Sequence, residues 1–350
     1  VAFLKTENSS ITAIYTCVPK KIVRTEDYEW ISLQERQLFT KTTGIIERRV
    51  ASETTTCSDL CFEAAKNLLA DLDCTNEIDL VLFVSQSPDY FLPATSIVLQ
   101  NKLGIPTTAM AFDVNLGCSG YVYGLSIASH FIQGGNIKKV LLLAGDKSTI
   151  STNYEDKSTF PLFGDAGTAT LIEFNENATS WFFSMASDGK GKDAIIIEHG
   201  HSRHPYGTIE DETKEIEPGI WRSKKHLKLN GMEVFNFALK EVAPSIKGLL
   251  VYADRELEAI DFFVFHQANK LINDSVRKKL KIDSAKVPLS IDYFGNTSSA
   301  SIPLTICKEF AENVLNAKNN YVLSGFGVGF SWATVLLELS AVKTKMIEYA

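Results

Sequence analysis

The 350-residue sequence predicts an α/β fold with mostly parallel strands, arranged as two similar halves. Three observations carry that prediction. Short apolar runs alternate with longer helical ones, the runs are apolar on consecutive residues as in strands covered on both faces, and one order of features occurs twice.

The strand-like runs are VLFV (81–84), VLLLAG (140–145) and ATLIEF (169–174). Between the first two, CSGYVYGLSIASHFIQGG is apolar on nearly every side and ends in Gly-Gly, as a fully buried helix does. The repetition begins with IDLVLFVSQ at Ile78 and IDFFVFHQA at Ile260. Each is followed by a helical segment, a leucine- or isoleucine-bearing strand, and a small-residue turn leading into a helix. That turn reads NLGCSG in the first half and YFGNTSSAS in the second. Asp79 precedes Cys118 by 39 residues, and Asp261 precedes Asn296 by 35. Each half closes with strands carrying glycine, FGDAGTATLIEF (163–174) and GFGVGFSWATVLLEL (325–339). Duplication accounts for this shared order better than chance. The halves are residues 1–186 and 227–350. Segment 187–226, rich in glycine, charge and proline, is the expected connection, with loops bordering a substrate entrance.

Composition narrows the function. Apolar residues make up 45% and charged residues 22%, as in ordinary soluble domains. With 35 basic and 42 acidic side chains the net charge is −7, which argues against a general nucleic-acid binder. No run approaches the ~18 apolar residues of a membrane span. The opening VAFLKTENSS lacks the apolar run of a secretory signal. Cysteines 17, 57, 61, 74, 118 and 307 follow no framework spacing and include no CxxC pair, which suits reduced thiols in the cytoplasm. His199, His201 and His204 lie in a polar segment without paired cysteines, an expected exposed loop rather than a zinc site.

Cys118 sits between Gly117 and Gly120. At the first turn of a buried helix it would face unpaired N–H groups and the positive end of the helix dipole, so its pKa is expected below that of a free thiol. The glycines allow tight backbone geometry and leave room for a substrate. On this stretch alone, a nucleophile and a small core residue fit equally well. His266 follows DFFVF directly, at the C-terminal end of an expected parallel strand, where ligands bind in such sheets. A hydrogen-bonded structural histidine would also fit there. Asn296 lies in the turn that mirrors Cys118, where an ordinary turn or cap residue fits too. If the halves pack as pseudo-symmetric partners, the three converge at one seam, in an arrangement suited to acyl transfer.

The motifs GCSG (117–120), FHQAN (265–269), FGNTSSAS (294–301) and FGVGFSW (326–332) resemble, in order and spacing, those of the 3-oxoacyl-[acyl-carrier-protein] synthase III family of the thiolase fold. The likeness extends over TGIIERR (43–49), LPATS (92–96), LFGDAGTA (162–169) and LNGMEVF (229–235). Elongating ketosynthases carry a second histidine where this chain has Asn296. Degradative thiolases carry a second cysteine where it reads GFGVG, and plant-type polyketide synthases lack HQAN.

The resemblance implies a layered α-β-α-β-α architecture and a triad of Cys118, His266 and Asn296. It implies an oxyanion hole from the backbone N–H groups of Cys118 and Val328. Substrate contacts would come from Phe163, Gly231, Asn269 and Phe326. Phe91 and Leu92 match the loop that caps the partner's acyl tunnel in a homodimer. The implied reaction joins an acyl primer on Cys118 to a malonyl thioester with loss of CO2, without metal or redox cofactor. Non-condensing acyl transfer and a catalytically silent partner subunit are the rival expectations. Leu38, Thr42, Leu271 and Lys157 depart from the family's acyl-CoA contacts, which leaves acyl-CoA one candidate donor beside acyl carrier protein, and a specialised acyl or polyketide pathway one candidate role beside fatty-acid initiation. For an acidic carrier, Lys270, Arg277 and Lys281 fall within about 40° on a helical wheel, away from Ile272, Val276 and Leu280, although Asp274 dilutes the stripe and a solvated helix face fits it equally well.

Overall fold

In the computed structural model, which describes residues 1–207 and 211–349, two mixed sheets face each other across a layer of helices. The first part of the chain supplies β1 (Ala2–Thr6), β2 (Ser9–Pro19), the paired short strands β3 (Ile22–Arg24) and β4 (Glu47–Arg49), and β5 (Leu80–Val84). It continues with β6 (Met110–Val114), β7 (Lys139–Lys147), β8 (Asp165–Phe174) and β9 (Trp181–Ser187). Two short ribbons come next: β10 (Ile195–Ile196) pairs with β13 (Lys228–Leu229), and β11 (Lys214–Glu217) with β12 (Ile220–Arg222). The last strands are β14 (Phe262–Phe265), β15 (Asn319–Gly327), β16 (Ser331–Leu339) and β17 (Lys343–Tyr349).

One sheet runs β17-β2-β8-β7-β5-β6 and the other β1-β9-β16-β15-β14. Of their nine neighbouring pairs, four are parallel and five antiparallel, so the expectation of mostly parallel strands is corrected. Connections without a crossover helix, such as β7 to β8 and β15 to β16, return the chain antiparallel, crossovers through a helix make β5 and β6 parallel, and the last strand, β17, joins β2 in parallel from the far end of the chain.

The helices in chain order are α1 (Leu33–Thr43), α2 (Cys57–Leu72), α3 (Thr95–Lys102), α4 (Gly120–Gln133), α5 (Gly231–Tyr252), α6 (Lys270–Leu280), α7 (Ile291–Phe294), α8 (Ser301–Glu309) and α9 (Glu312–Asn316). Helices α4 and α8 lie between the sheets, and their residues join strands of both in one continuous core that includes Leu125, Ile302, Leu142 and Val335. This position explains why α4 is apolar all round. Helices α2 and α3 cover the six-stranded sheet, and α5 with α6 covers the other, each over its own core. The result is the five-layered α-β-α-β-α thiolase architecture.

Local chemistry sets the helix starts. Ser32 and Glu35 form a capping box at α1, as Thr56 and Asp59 do at α2. Asn269 caps α6 by accepting from the Ile272 N–H at 2.8 Å, and Ile272, Val276 and Leu280 turn inward one helical turn apart. Helix α2 packs so closely on β8 that a Cβ added at Gly167 would collide with the Cys61 nitrogen.

The second half departs from the expected repeat at VPLS (287–290). Its counterpart in the first half is β6, but these residues join no strand. Pro288 has no N–H to give a ladder, and the Ser290 N–H is taken by the Gln267 side chain at 3.1 Å. All six cysteines are free. Among the described residues no helix is long and apolar enough to cross a membrane.

Candidate active site

The fold brings the ends of β5, β7 and β14 and the start of α4 around one cleft. Cys118, His266, Asn296, Val328, Phe163, Phe326, Asn269 and Gly231 all line it. Phe91, Leu92, Lys270, Arg277 and Lys281 do not.

Cys118 lies two residues before α4, and the strand pair β15–β16 closes over it. A Cβ at Gly327 would meet the Cys118 sulfur at 2.9 Å, and one at Gly325 would meet its carbonyl oxygen at 2.7 Å. Only glycine permits this approach. The turn between those strands carries Val328. It is held by the Ser331 hydroxyl, which donates to the Val328 carbonyl at 2.8 Å and lies 2.7 Å from the Ser119 hydroxyl. The N–H groups of Val328 and Cys118 face the thiol and pull its pKa down.

They do not prevail. Burial, with the nearby Asp146 carboxylate, pushes the Cys118 thiol up to about 11, which corrects the expected depression. The helix-dipole expectation counted the N–H groups at the start of a buried helix but not the cost of burying a thiolate there.

His266 sits just past β14, its N–H donating to the Ser324 carbonyl at 2.8 Å. Its Nδ1 lies 2.7 Å from the Ser301 hydroxyl, and Phe326 stands edge-on to the ring at 5.7 Å. Burial lowers its pKa to about 3, although a main-chain hydrogen bond at Ser298 opposes the shift. The imidazole is therefore neutral near pH 7.

Asn296 is fixed by the opposite half. Its N–H donates to the Leu162 carbonyl at 2.9 Å, and its carbonyl accepts from Gly164 at 3.1 Å. The Asn296 Oδ1 accepts from the Ser298 N–H at 2.9 Å, so the amide NH2 is the end left for a substrate. Ser298 holds a left-handed φ of 51° at this turn, with its hydroxyl 3.9 Å from the Cys118 sulfur.

Asp146 lies behind these groups. Its carboxylate accepts from the Gln86 N–H at 2.7 Å, the Ser85 hydroxyl at 3.1 Å, the Ser299 hydroxyl at 2.8 Å and the Ser299 N–H at 3.2 Å. Burial nevertheless raises its pKa. The motifs did not single out Asp146, Ser298, Ser301, Ser119 or Ser331. One signal was available for Asp146, which comes directly after VLLLAG at a strand end just as His266 comes after DFFVF.

The remaining residues lie elsewhere. Phe91 and Leu92 are 72% and 75% exposed, on a loop beside β6. Lys281 is the left-handed cap that ends α6. Lys270 pairs with Asp274. Arg277 reaches Asp274 at 3.6 Å and turns to the Ile282 carbonyl at 3.0 Å, so its charge serves its own helix end. In the histidine segment, His201 and His204 are exposed, but His199 is buried, 2.8 Å from Asp211, which corrects the expectation for that residue. Among the described residues no cluster of metal-ligating side chains occurs.

Residues 112–189 match the family described as 3-oxoacyl-[acyl-carrier-protein (ACP)] synthase III, and residues 250–339 match its C-terminal part. A beta-ketoacyl-[acyl-carrier-protein] synthase III of Streptococcus pneumoniae is 32% identical over 334 residues, covering 95% of this chain and 99% of the relative. The crystal structure of a 3-oxoacyl-(acyl-carrier protein) synthase from Burkholderia xenovorans superimposes with a TM-score of 0.93 at 37% identity, covering 99% of both chains. A synthase III from Thermus thermophilus gives a TM-score of 0.81 at 29% identity, over 94% of this chain and 98% of that one. Fold and likeness together define a thiolase-fold acyltransferase. The chain belongs to the 3-oxoacyl-[acyl-carrier-protein] synthase III family.

A thiol with a pKa near 11 has a measurable signature. Thiolate is the reacting form, so alkylation of Cys118 by iodoacetamide in the free protein should rise about tenfold per pH unit from pH 7 to 9. Peptide mapping of the adduct over time reads the rate. A plateau with its midpoint below pH 8 would contradict the buried, protonated thiol.

Proposed function

We propose that this chain condenses an acyl primer held on Cys118 with a malonyl thioester, releasing CO2 and a 3-oxoacyl thioester. The observation that carries this reading is one cleft lined by a thiol from one half and a neutral imidazole and an amide from the other, with main-chain N–H groups facing the thiol. The names of the family relatives support it.

Cys118 attacks the primer's thioester carbonyl, and the tetrahedral oxyanion forms against the N–H groups of Cys118 and Val328. The carrier thiol leaves with the proton that Cys118 gives up. Each such donor is worth about 10²–10³ in rate where it meets developing charge. In the second stage the malonyl carbon–carboxylate bond breaks and its electron pair passes into the thioester as an enolate. A neutral imidazole suits this step, because it donates one hydrogen bond without bringing a buried charge. When the Ser301 hydroxyl donates to Nδ1 the ring proton lies on Nε2, beside the Asn296 amide, and passes from its main-chain hydrogen bond at Ser298 to the forming enolate. The enolate carbon then attacks acyl-Cys118, and the sulfur departs. Side chains and main-chain donors carry every step, so the reaction calls for no metal or redox cofactor.

Acyl carrier protein is the proposed carrier. Leu38 offers no aromatic plate and is 64% exposed, and Lys157 is engaged by Glu35 at 2.8 Å, which disfavours acyl-CoA. Free thiols throughout suit a reducing cytoplasmic setting. A homodimer is the proposed working form, since β6 leaves one edge of its sheet unpaired among the described residues and Tyr90, Phe91 and Leu92 stand exposed nearby.

Supplied with primer and malonyl carrier thioesters, the protein should release CO2 and 3-oxoacyl product in equal amounts, measured by radiolabelled CO2 capture and mass spectrometry. Consumption of primer with transfer to an alcohol or amine and no CO2 would contradict condensation. Sedimentation velocity at micromolar concentration should give twice the 38.7 kDa chain mass, and a monomer would contradict the paired edge.

A further inference from the structure

The cleft around Cys118 has two unlike walls. Toward α5 and α6 it is mainly apolar, with Leu229, Val234 and Ile272 around Asn269, whose side-chain oxygen is taken by the cap of α6. Toward the ends of β5 and β7 it is lined by the polar side chains of Gln86, Ser148 and Ser151, with Leu227 beside Ser151. We propose that the polar wall receives the acyl chain, and that the preferred primer carries an oxygen substituent, hydroxyl or keto, within a few carbons of the thioester. This rests on the reading of Cys118 as the acyl carrier.

The charge and exposure of the two rims decide which wall meets the acyl chain. Gly231 and Lys270, at the starts of α5 and α6, are exposed, and Lys270 is already paired with Asp274, so this rim is open without being acidic, as the approach of an acidic carrier requires. The rim beyond Gln86 carries Asp89, Tyr90, Phe91 and Leu92, which is acidic and apolar and beside the edge proposed for the second subunit. The carrier arm therefore enters past α5 and α6, and the acyl group extends toward Gln86.

The polar groups on that side are held in place and left without partners. The Gln86 N–H is fixed to Asp146 at 2.7 Å, and its amide oxygen lies over Gly117, where it would collide with an added Cβ. Ser148 and Ser151 bound one short turn. That turn is pinned by Thr149, whose N–H and hydroxyl reach Asp165 at 3.1 and 2.6 Å, and by the Leu227 N–H, which donates to the Ser151 carbonyl at 2.7 Å. The side chains of Gln86, Ser148 and Ser151 make no hydrogen bond among the described residues. A hydrocarbon chain entering here strips water from an amide and two hydroxyls and returns nothing, whereas an oxygenated chain replaces those hydrogen bonds. A site built to bond a substrate oxygen rejects the analogue lacking it for that reason. In loading, the Cys118 sulfur replaces the carrier sulfur at the carbonyl, the carrier leaves as thiol, and the oxygen substituent is untouched.

Pantetheine thioesters of hexanoate, 3-hydroxyhexanoate and 3-oxohexanoate test this, with the Cys118 adduct followed by intact-protein mass spectrometry. At least one oxygenated primer should load about tenfold faster than hexanoyl in the wild-type protein. That ratio should fall toward one in Gln86→Leu and in the Ser148→Ala/Ser151→Ala double variant. Hexanoyl loading as fast as both oxygenated primers in the wild type overturns the proposal, whether or not the variants fold. Equal slowing of all three primers in the variants also overturns it, since those side chains would then hold the carrier arm. Absence of any Cys118 adduct overturns both this inference and the acyl-enzyme reading, and so separates the two failures.

Discussion

The buried carboxylate of Asp146 is the joint on which the site depends. From one half it accepts hydrogen bonds at Ser85 and Gln86, at the end of β5, and from the other it accepts two at Ser299, in the turn that carries Asn296. A carboxylate this deep is costly unless its lone pairs are used, so these contacts, with a longer one from the Ser87 hydroxyl at 3.5 Å, fix the distance between halves rather than merely accompany it. The same group stands close enough to Cys118 to help hold its proton. Cohesion of the seam and the resting state of the nucleophile therefore share one cause.

The groups that meet substrate consequently carry no charge at rest. Its thiol is protonated and its imidazole neutral, so no thiolate–imidazolium pair waits in the free protein. Such a pair would activate the sulfur but would leave a cation facing the malonyl carboxylate, stabilising the group that must leave as CO2. Donors without net charge favour the enolate instead. The Val328 turn, braced through Ser331 and Ser119, and the Asn296 amide, oriented by Ser298, provide such donors in fixed positions.

Much of the architecture was legible in the residues. The runs at 81–84, 140–145 and 169–174 became strands because continuous apolar sequence has no exposed face to offer, whereas the close approach of β15 to Cys118 rests on Gly325 and Gly327, which the motifs did not connect with the cysteine. Convergence of Cys118, His266 and Asn296 on one cleft was implied by the repeated order of motifs. Strand direction was not legible, because it is set by the connections. The sign of the Cys118 shift was missed because burial depends on what covers a residue, here β15 from the far end of the chain. The positioning serines were invisible for a related reason: a serine declares its role only once its partner is placed.

Separating the two half-reactions tests the shared seam most directly. Cys118→Ala and His266→Ala would each be given primer and malonyl carrier thioesters, with adduct formation and CO2 release monitored separately. The account predicts that His266→Ala still acquires the acyl group on Cys118 but releases CO2 at least about a hundredfold more slowly. It predicts that Cys118→Ala still decarboxylates malonyl thioester yet forms no 3-oxoacyl product. Wild-type CO2 release by His266→Ala, or 3-oxoacyl product from Cys118→Ala, would contradict it.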